Sequence, residues 1–199
     1  MGRKSQGDKT RRDIVEAGAR QFSLHGFFAT GLQDILEDAS VSKGAFYHHF
    51  KSKEDLALAV FAKLQTDYEQ QVLEPVRQIA DPEARLAFMV SRLVKLNETG
   101  QWKNCLLLAR LSLEMAQSLG ELSERIAEIT ELLIRFWEEL IHDARNTHFI
   151  RNDLEPASLA ALIHCTWLGA VTCRELETPD FRLKDIAQTL RGLMARSYP

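Results

Sequence analysis

Hydrophobic positions recur at three- and four-residue spacings along almost the whole chain, the periodicity of helices that each bury one face. Ile14, Ala17, Gly18, Gln21 and Phe22 predict a helix that opens at Arg11 and Arg12 and runs to about His25, where Gly26 stops it. The polar stretch before it, Met1 to Lys9, reads as a disordered tail. Leu32, Ile35 and Leu36 predict a short second helix, capped by Thr30 with Gln33 three residues on, and ending near Ser40. Ser42 is placed to cap a third helix over Lys43 to about Phe50. Ser52, with Asp55 in the reciprocal position, is placed to cap a fourth. Phe27, Phe28, Leu32, Ile35, Phe46 and Phe50 are the expected small core between the first three.

Beyond residue 53 the helices lengthen. Leu56, Ala59, Val60 and Leu64 form the stripe of a helix expected to reach about Glu74 and to be interrupted by Pro75. Asp81-Pro82-Glu83 has the cap and first-turn proline of a helix start, and that helix is predicted to run to about Thr99 with Leu86, Met89, Val90, Leu93 and Leu96 inward. Residues 101–119 form a mostly apolar sixth helix, bounded by Gly100 and Gly120. A seventh, amphipathic, covers Glu121 to Asn146. Glu155-Pro156 opens an eighth that is apolar nearly all round, so it should be buried on more than one face. Pro179 separates it from a ninth, Lys184 to about Arg196. The expected fold is therefore all-α, about nine helices, with no internal repeat or low-complexity tract.

Composition adds little to that picture and removes several alternatives. With 45% hydrophobic and 27% charged residues the chain has an ordinary globular balance. No apolar run reads as long enough for a membrane span and no secretory leader is read at the polar start, so a membrane is not an expected partner. Three cysteines, far apart, make neither a disulfide framework nor a zinc site, and a reducing cytoplasm is the expected location.

The second and third helices, joined by a tight turn, have the spacing of a helix-turn-helix whose second helix can enter the major groove of DNA. The surface of that helix suits the task. Lys43 sits at its start, Gly44 and Ala45 are small enough for close approach, and Tyr47, His48 and His49 end in hydrogen-bonding groups. Lys43, Tyr47 and His48 are the candidates to face the groove, and Arg11, Thr30, Ser42 and Lys53 to hold phosphates. The formal charge of −3 looks wrong for such a partner, but its distribution does not. Residues 1–53 carry nine lysines and arginines against six acids, a net of +3, while the remainder carries −6.

The run VSKGAFYHHFKSKEDL, with TRRDIVEAGARQFSLHGFFATGLQDIL upstream, resembles the signature of the TetR/AcrR repressors: a small residue, an aromatic, Tyr, a variable residue, His or Tyr, Phe and a K-x-K segment. The likeness covers residues 9 to 60 by motif and the remainder by layout. It implies a DNA-binding helix-turn-helix domain over 1–55, and an effector-binding and dimerisation domain over 56–199. It also implies a homodimer through the eighth and ninth helices, a palindromic double-stranded operator, and release from it by a small-molecule effector. The eighth helix has the residues for that role, since Ala160, Ala161, Gly169 and Ala170 permit close packing and its apolar girth needs more cover than one bundle supplies.

The body offers a sensor candidate. Cys105 follows Trp102-Lys103-Asn104 at the start of the sixth helix, where the helix N-terminus and Lys103 would lower a thiol pKa. The pattern NCLLLARLSLE, with TWLGA later, is similar to the NemR-like, electrophile-responsive subgroup of the family, in which a G-C-L run carries a reactive cysteine; here Asn104 stands in place of that glycine. Cys105 as effector-sensing thiol and Cys105 as buried structural cysteine both stand at this point, while Cys165 and Cys173 read as inert packing. Trp102, Trp137, His164 and Trp167 are the candidate pocket residues. No catalytic or metal-ligand spacing is visible among the six histidines, nor a phosphate-binding glycine loop, so no cofactor, metal or enzymatic activity is expected. The alternative is a helical small-molecule carrier or enzyme with a vestigial DNA-binding head, against which the pattern Ser42, Lys43, Tyr47 and Lys53 argues.

Overall fold

The structure, a computed structural model, describes residues 2–99, 104–115, 120–175 and 182–195. Among them the backbone is helical, apart from connecting turns and one isolated antiparallel bridge between Ile150 and Ala195. The helices are α1 (Gly2–His25), α2 (Leu32–Asp38), α3 (Lys43–His49), α4 (Lys53–Tyr68), α5 (Glu74–Arg77), α6 (Pro82–Glu98), α7 (Asn104–Met115), α8 (Glu121–Asn146), α9 (Pro156–Glu175) and α10 (Leu183–Met194). A π-turn over Glu69–Leu73 links α4 to α5, so among the described residues the two count as one of nine helical segments. The eighth and ninth helices of the sequence reading are α9 and α10.

Two of those boundaries differ from expectation. α1 begins at Gly2 rather than at Arg11; no proline lies between the two to halt the helix, and Thr10 Oγ1 donates to the Gln6 carbonyl at 3.1 Å. Pro75 does not end the fourth helix either. The π-turn widens the backbone just ahead of it, and the carbonyl of Gln71, denied the N–H that a residue four places on would supply, accepts from Arg92 Nε at 2.9 Å. A guanidinium from α6 thus completes a helix that proline would otherwise break.

The chain divides into two compact units. The first gathers residues up to 67 with 107–127, the second residues 68–106 with 128 onward. In the first, Ile14, Ala17, Phe22, Phe27, Ile35, Phe46, Phe50 and Leu56 are buried around a common centre, the aromatic rings of Phe22 and Phe27, and of Phe46 and Phe50, within 6 Å of each other. Gly18 lets Leu56 settle on α1, as a Cβ there would meet Leu56 Cδ2 at 2.9 Å. Phe28 does not join this core. It follows the turn at Gly26 and is 63% exposed, a correction to the expected plug. Arg20 clasps Asp38 through two hydrogen bonds, of 2.8 and 3.2 Å, and pins α1 to the last turn of α2. It holds the Asp38 carboxyl below the ordinary range. That contribution is present above the ordinary carboxyl pKa and fades as the pH falls through the lowered folded value.

The second unit is built on the apolar faces of α6, α8, α9 and α10, with Leu86, Met89, Leu93, Phe136, Trp137, Leu140, Ile163, Trp167, Leu190 and Met194 in one cluster. The bridge at Ile150 and the bond from Arg151 N to Met194 O, 2.9 Å, fasten the end of α10 to the α8–α9 connection. The stretch Pro156–Cys173 of α9, with mean hydropathy 1.3 over 18 residues, is long and apolar enough to cross a membrane by length and composition, which corrects the reading that no run reaches that length. Its inward side, Leu159, Ala160, Ile163, Trp167, Ala170 and Val171, is packed in the core, and its outward side carries Leu162, Cys165, Gly169 and Thr172. Cys165 is therefore exposed, where the sequence suggested inert packing.

Candidate nucleic-acid interface

Helix α3 is seven residues long and strictly two-faced. Ser42 caps it, its Oγ accepting from Ala45 N at 3.2 Å. Phe46 and Phe50 lie on the inner side, fully buried. Lys43, Gly44, Tyr47 and His48, at positions i, i+1, i+4 and i+5, lie together on the outer side and are all exposed. Tyr47 stands with its ring edge-on to Phe46, centroids 5.4 Å apart, so the core that anchors the helix also orients its most prominent outer side chain. Ala45 and His49 flank this face, half-buried. Desolvation first, then the neighbouring His48 and Arg11, hold the His49 imidazole below its ordinary pKa. Arg11 reaches from α1 to stack over the Phe50 ring at 5.2 Å.

Two residues expected at phosphates are turned inward. Thr30 is buried, and its hydroxyl donates to the carbonyls of Gly26, 2.5 Å, and Gln21, 3.2 Å. It therefore fastens the end of α1 rather than capping α2. The cap is Gly31, whose N–H donates to Asp34 Oδ2 at 3.0 Å, while Gln33 pairs instead with Glu37. Lys53 Nζ donates to the carbonyls of Phe27, 2.7 Å, and Thr30, 2.9 Å, and lies 4.5 Å above the Phe27 ring. Its ammonium braces the turn between α1 and α2. Lys53→Ala should accordingly lower the melting stability of the protein by about 2 kcal/mol, the range for hydrogen bonds from a charged donor. A phosphate contact would instead lower the salt slope of DNA binding by roughly 1 at unchanged stability.

Two residues that the sequence did not single out complete this region. Arg110 Nη1, from α7, donates to the last carbonyls of α1, Ser23 at 3.0 Å and Leu24 at 2.7 Å. One turn on, Glu114 Oε2 accepts from the N–H of Phe27, 2.7 Å, and of Phe28, 3.3 Å. Cation meets helix C-terminus and anion meets the free N–H groups after it, each matched in sign. Gly26 makes room, with φ +83°, and a Cβ there would overlap Glu114 Oε1. An Arg and a Glu at i, i+4 on an apolar helix was the only sequence signal, and it reads as an ordinary surface pair.

Of the pocket candidates, Trp137 and Trp167 lie in the second unit's core, and His164 is buried on α9 one turn before Trp167. Among the described residues His164 Nε2 and Trp167 Nε1 find no hydrogen-bond partner. Cys105 falls in the first turn of α7; its side chain, and Trp102, lie outside the described residues. Among the described residues no group of three or more His, Cys, Asp or Glu is arranged to hold a metal ion.

Comparison with known proteins bears on both units. Residues 14–60 match the bacterial regulatory proteins of the tetR family, and residues 82–190 match the tetracyclin repressor-like C-terminal domain. The chain is 27% identical over 167 residues to the HTH-type transcriptional repressor DhaR of Mycobacterium sp. (strain GP1), covering 84% of this chain and 83% of that one. It is 27% identical over 164 residues to the repressor NemR of Escherichia coli (strain K12), 81% of each. The crystal structure of reduced E. coli NemR superposes with a TM-score of 0.80 at 22% identity, covering 95% of this chain and all of that one. That of AibR, in complex with isovaleryl coenzyme A and operator DNA, superposes at 0.75 with 26% identity and the same coverage.

Proposed function

The chain belongs to the TetR family of bacterial regulatory proteins, and we propose that residues 1–55 read an operator through the outer face of α3, while residues 56–199 take up an effector and pair two copies. It is a DNA-binding transcriptional repressor that answers to a small molecule, acting in the cytoplasm on a two-fold site. Lys43, Tyr47 and His48 reach base edges in the major groove, Gly44 and Ala45 let the backbone approach, and Arg11 and Ser42 meet phosphates. Thr30 and Lys53 serve by holding the turn that presents α3.

One observation carries this reading. Gly44 is a glycine in an exposed helical position, where a Cβ would touch only Ser42 Oγ, 3.9 Å away. The fold gains nothing from it, since alanine favours a helix by about 1 kcal/mol. What gains is a partner that must come close. Gly44→Ala should therefore raise thermal stability slightly and weaken operator binding at least tenfold, in a gel shift on the DNA flanking its own gene. Lys43→Ala should weaken binding with a shallower salt dependence. A Gly44→Ala protein that binds as tightly as the parent would refute the assignment.

The pairing surface rests on a similar argument. Leu162, Cys165, Gly169 and Thr172 form an outward stripe on α9, and Leu193 with Gly192 faces outward on α10. A Cβ at Gly169 or Gly192 would meet nothing within 4 Å, so neither glycine is needed inside one subunit. Two copies packed on these helices would use both. Gly169→Glu is expected to leave a folded 22.7 kDa species in light scattering where the parent scatters as twice that mass; a variant that stays dimeric places the interface elsewhere.

A further inference from the structure

Two buried polar atoms on one turn of α9 are left unused by everything described above. His164 and Trp167 are each only 6% exposed, three residues apart and so on the same side of the helix. The imidazole Nε2 and the indole Nε1–H nevertheless have no hydrogen-bond partner. Native interiors satisfy nearly all such groups, and a lone buried donor is ordinarily paired with something. Here two occur together on α9, and Trp167 itself belongs to the second unit's apolar cluster.

We propose that His164 and Trp167 are the polar contacts of the effector site, and that the effector is an uncharged, mainly apolar molecule carrying a carbonyl oxygen. The inference rests on the reading of residues 56–199 as the effector-binding part and adds the chemistry of what they take up. An indole N–H only donates, so the ligand group opposite it must accept. Burial pushes the imidazole below its ordinary pKa and so favours its neutral form. Among the described residues neither atom has a charged partner to share with a ligand carboxylate or ammonium, and burial penalises either charge heavily. A carbonyl oxygen meets the indole proton without bringing a charge. The neutral imidazole, donor or acceptor according to tautomer, then takes a second polar atom of the ligand or the other lone pair of the same oxygen.

The probes are cyclohexanone and 2-heptanone, a ring and a chain with the same carbonyl, with cyclohexanecarboxylate as the charged control. Each is titrated into the full-length protein labelled with 15N at tryptophan, without DNA. The expected result is a saturable downfield movement of the indole N–H cross-peak of Trp167, assigned by its loss in Trp167→Phe, with either ketone and not with the carboxylate. Trp167→Phe should bind the ketone about fivefold more weakly by saturation-transfer signals, the size of one neutral hydrogen bond. His164→Phe should weaken it while leaving the Trp167 cross-peak responsive. If neither ketone moves the cross-peak at millimolar concentration, if the carboxylate moves it equally, or if Trp167→Phe binds the ketone as before, the proposal is wrong. Operator binding is measured separately by gel shift. A protein that holds its operator yet fails the titration overturns only the carbonyl site, whereas loss of operator binding in the parent overturns the repressor reading itself.

Discussion

Phe46→Ala is expected to abolish operator binding without removing any group that could touch DNA. Phe46 is fully buried, packs against Phe50 and Tyr47, and is the inner anchor of a helix only seven residues long. A helix of that length has no stability of its own and exists because it is packed. Truncating a buried phenylalanine to alanine costs about 3–5 kcal/mol. That is a large share of what holds a small domain together. Urea unfolding should show the loss as an early transition of the first unit, monitored by amide exchange in α2 and α3. Tyr47→Ala makes the informative contrast, since its side chain is half exposed. It should leave the urea midpoint almost unchanged and still weaken DNA binding. If Phe46→Ala melts like the parent, the anchor assigned here is not one.

The second large effect is expected at Glu114, far along the chain from the DNA-reading face. Glu114→Ala strands the N–H groups of Phe27 and Phe28 and leaves Arg110 beside them without its counter-charge. The loss of hydrogen bonds to a carboxylate is worth about 1.5–3 kcal/mol. Glu114→Gln, which keeps an accepting oxygen, should recover part of it. Gly26→Ala should reproduce the defect by another route, because the residue must hold a left-handed conformation at about 1–2 kcal/mol and push the carboxylate aside. If the two act on the same contact, the double variant Gly26→Ala/Glu114→Ala will be less destabilised than the sum of the singles. Additivity would mean that the turn and the carboxylate act independently. Operator affinity should fall in the same order as stability, since α2 and α3 follow directly from that turn.

How much of this was legible in the sequence depends on the range of the interaction. Ser42 and Ser52 were read correctly as caps because a cap and the N–H that donates to it lie three residues apart. The buried faces of α1, α3 and α6 followed from periodicity, and so did the stop at Gly26. Thr30 shows where such reading ends. A threonine next to a glycine before an apolar run has the pattern of an N-cap, but its hydroxyl found the carbonyl of Gln21 in α1 and that of Gly26 just after it, and Asp34 served Gly31 instead. Phe27 and Phe28 are indistinguishable as residues; only the direction of the turn sends one inward and the other out. Pro75 looked like a stop because the Arg92 that supplies the missing donor is 21 residues beyond the Gln71 carbonyl it serves. Lys53 looked like a phosphate ligand because K-x-K is basic, and nothing local says that its ammonium is occupied by carbonyls 23 and 26 residues earlier. The likeness in the motif located the reading helix, yet the groups that hold it in place come from elsewhere in the chain.

The distance between Arg110 and the carbonyls it holds, 86 and 87 residues, has a consequence for synthesis. Residues 1 to 60 leave the ribosome first and can collapse on their own phenylalanines, with Thr30 and Lys53 already holding the turn after α1, but the contacts of Arg110 and Glu114 wait until α7 has emerged. At about 5–20 residues per second that interval lasts seconds. Nascent chains shorter than about 115 residues should then carry a helix-turn-helix held only by Thr30 and Lys53, and proteases should cut them near Gly26 faster than they cut the finished chain. Closing so long a loop adds little to the entropic penalty, which grows only with the logarithm of its length. The delay is therefore one of timing, and a head made without the later helix would be born incomplete however well its own sequence is chosen.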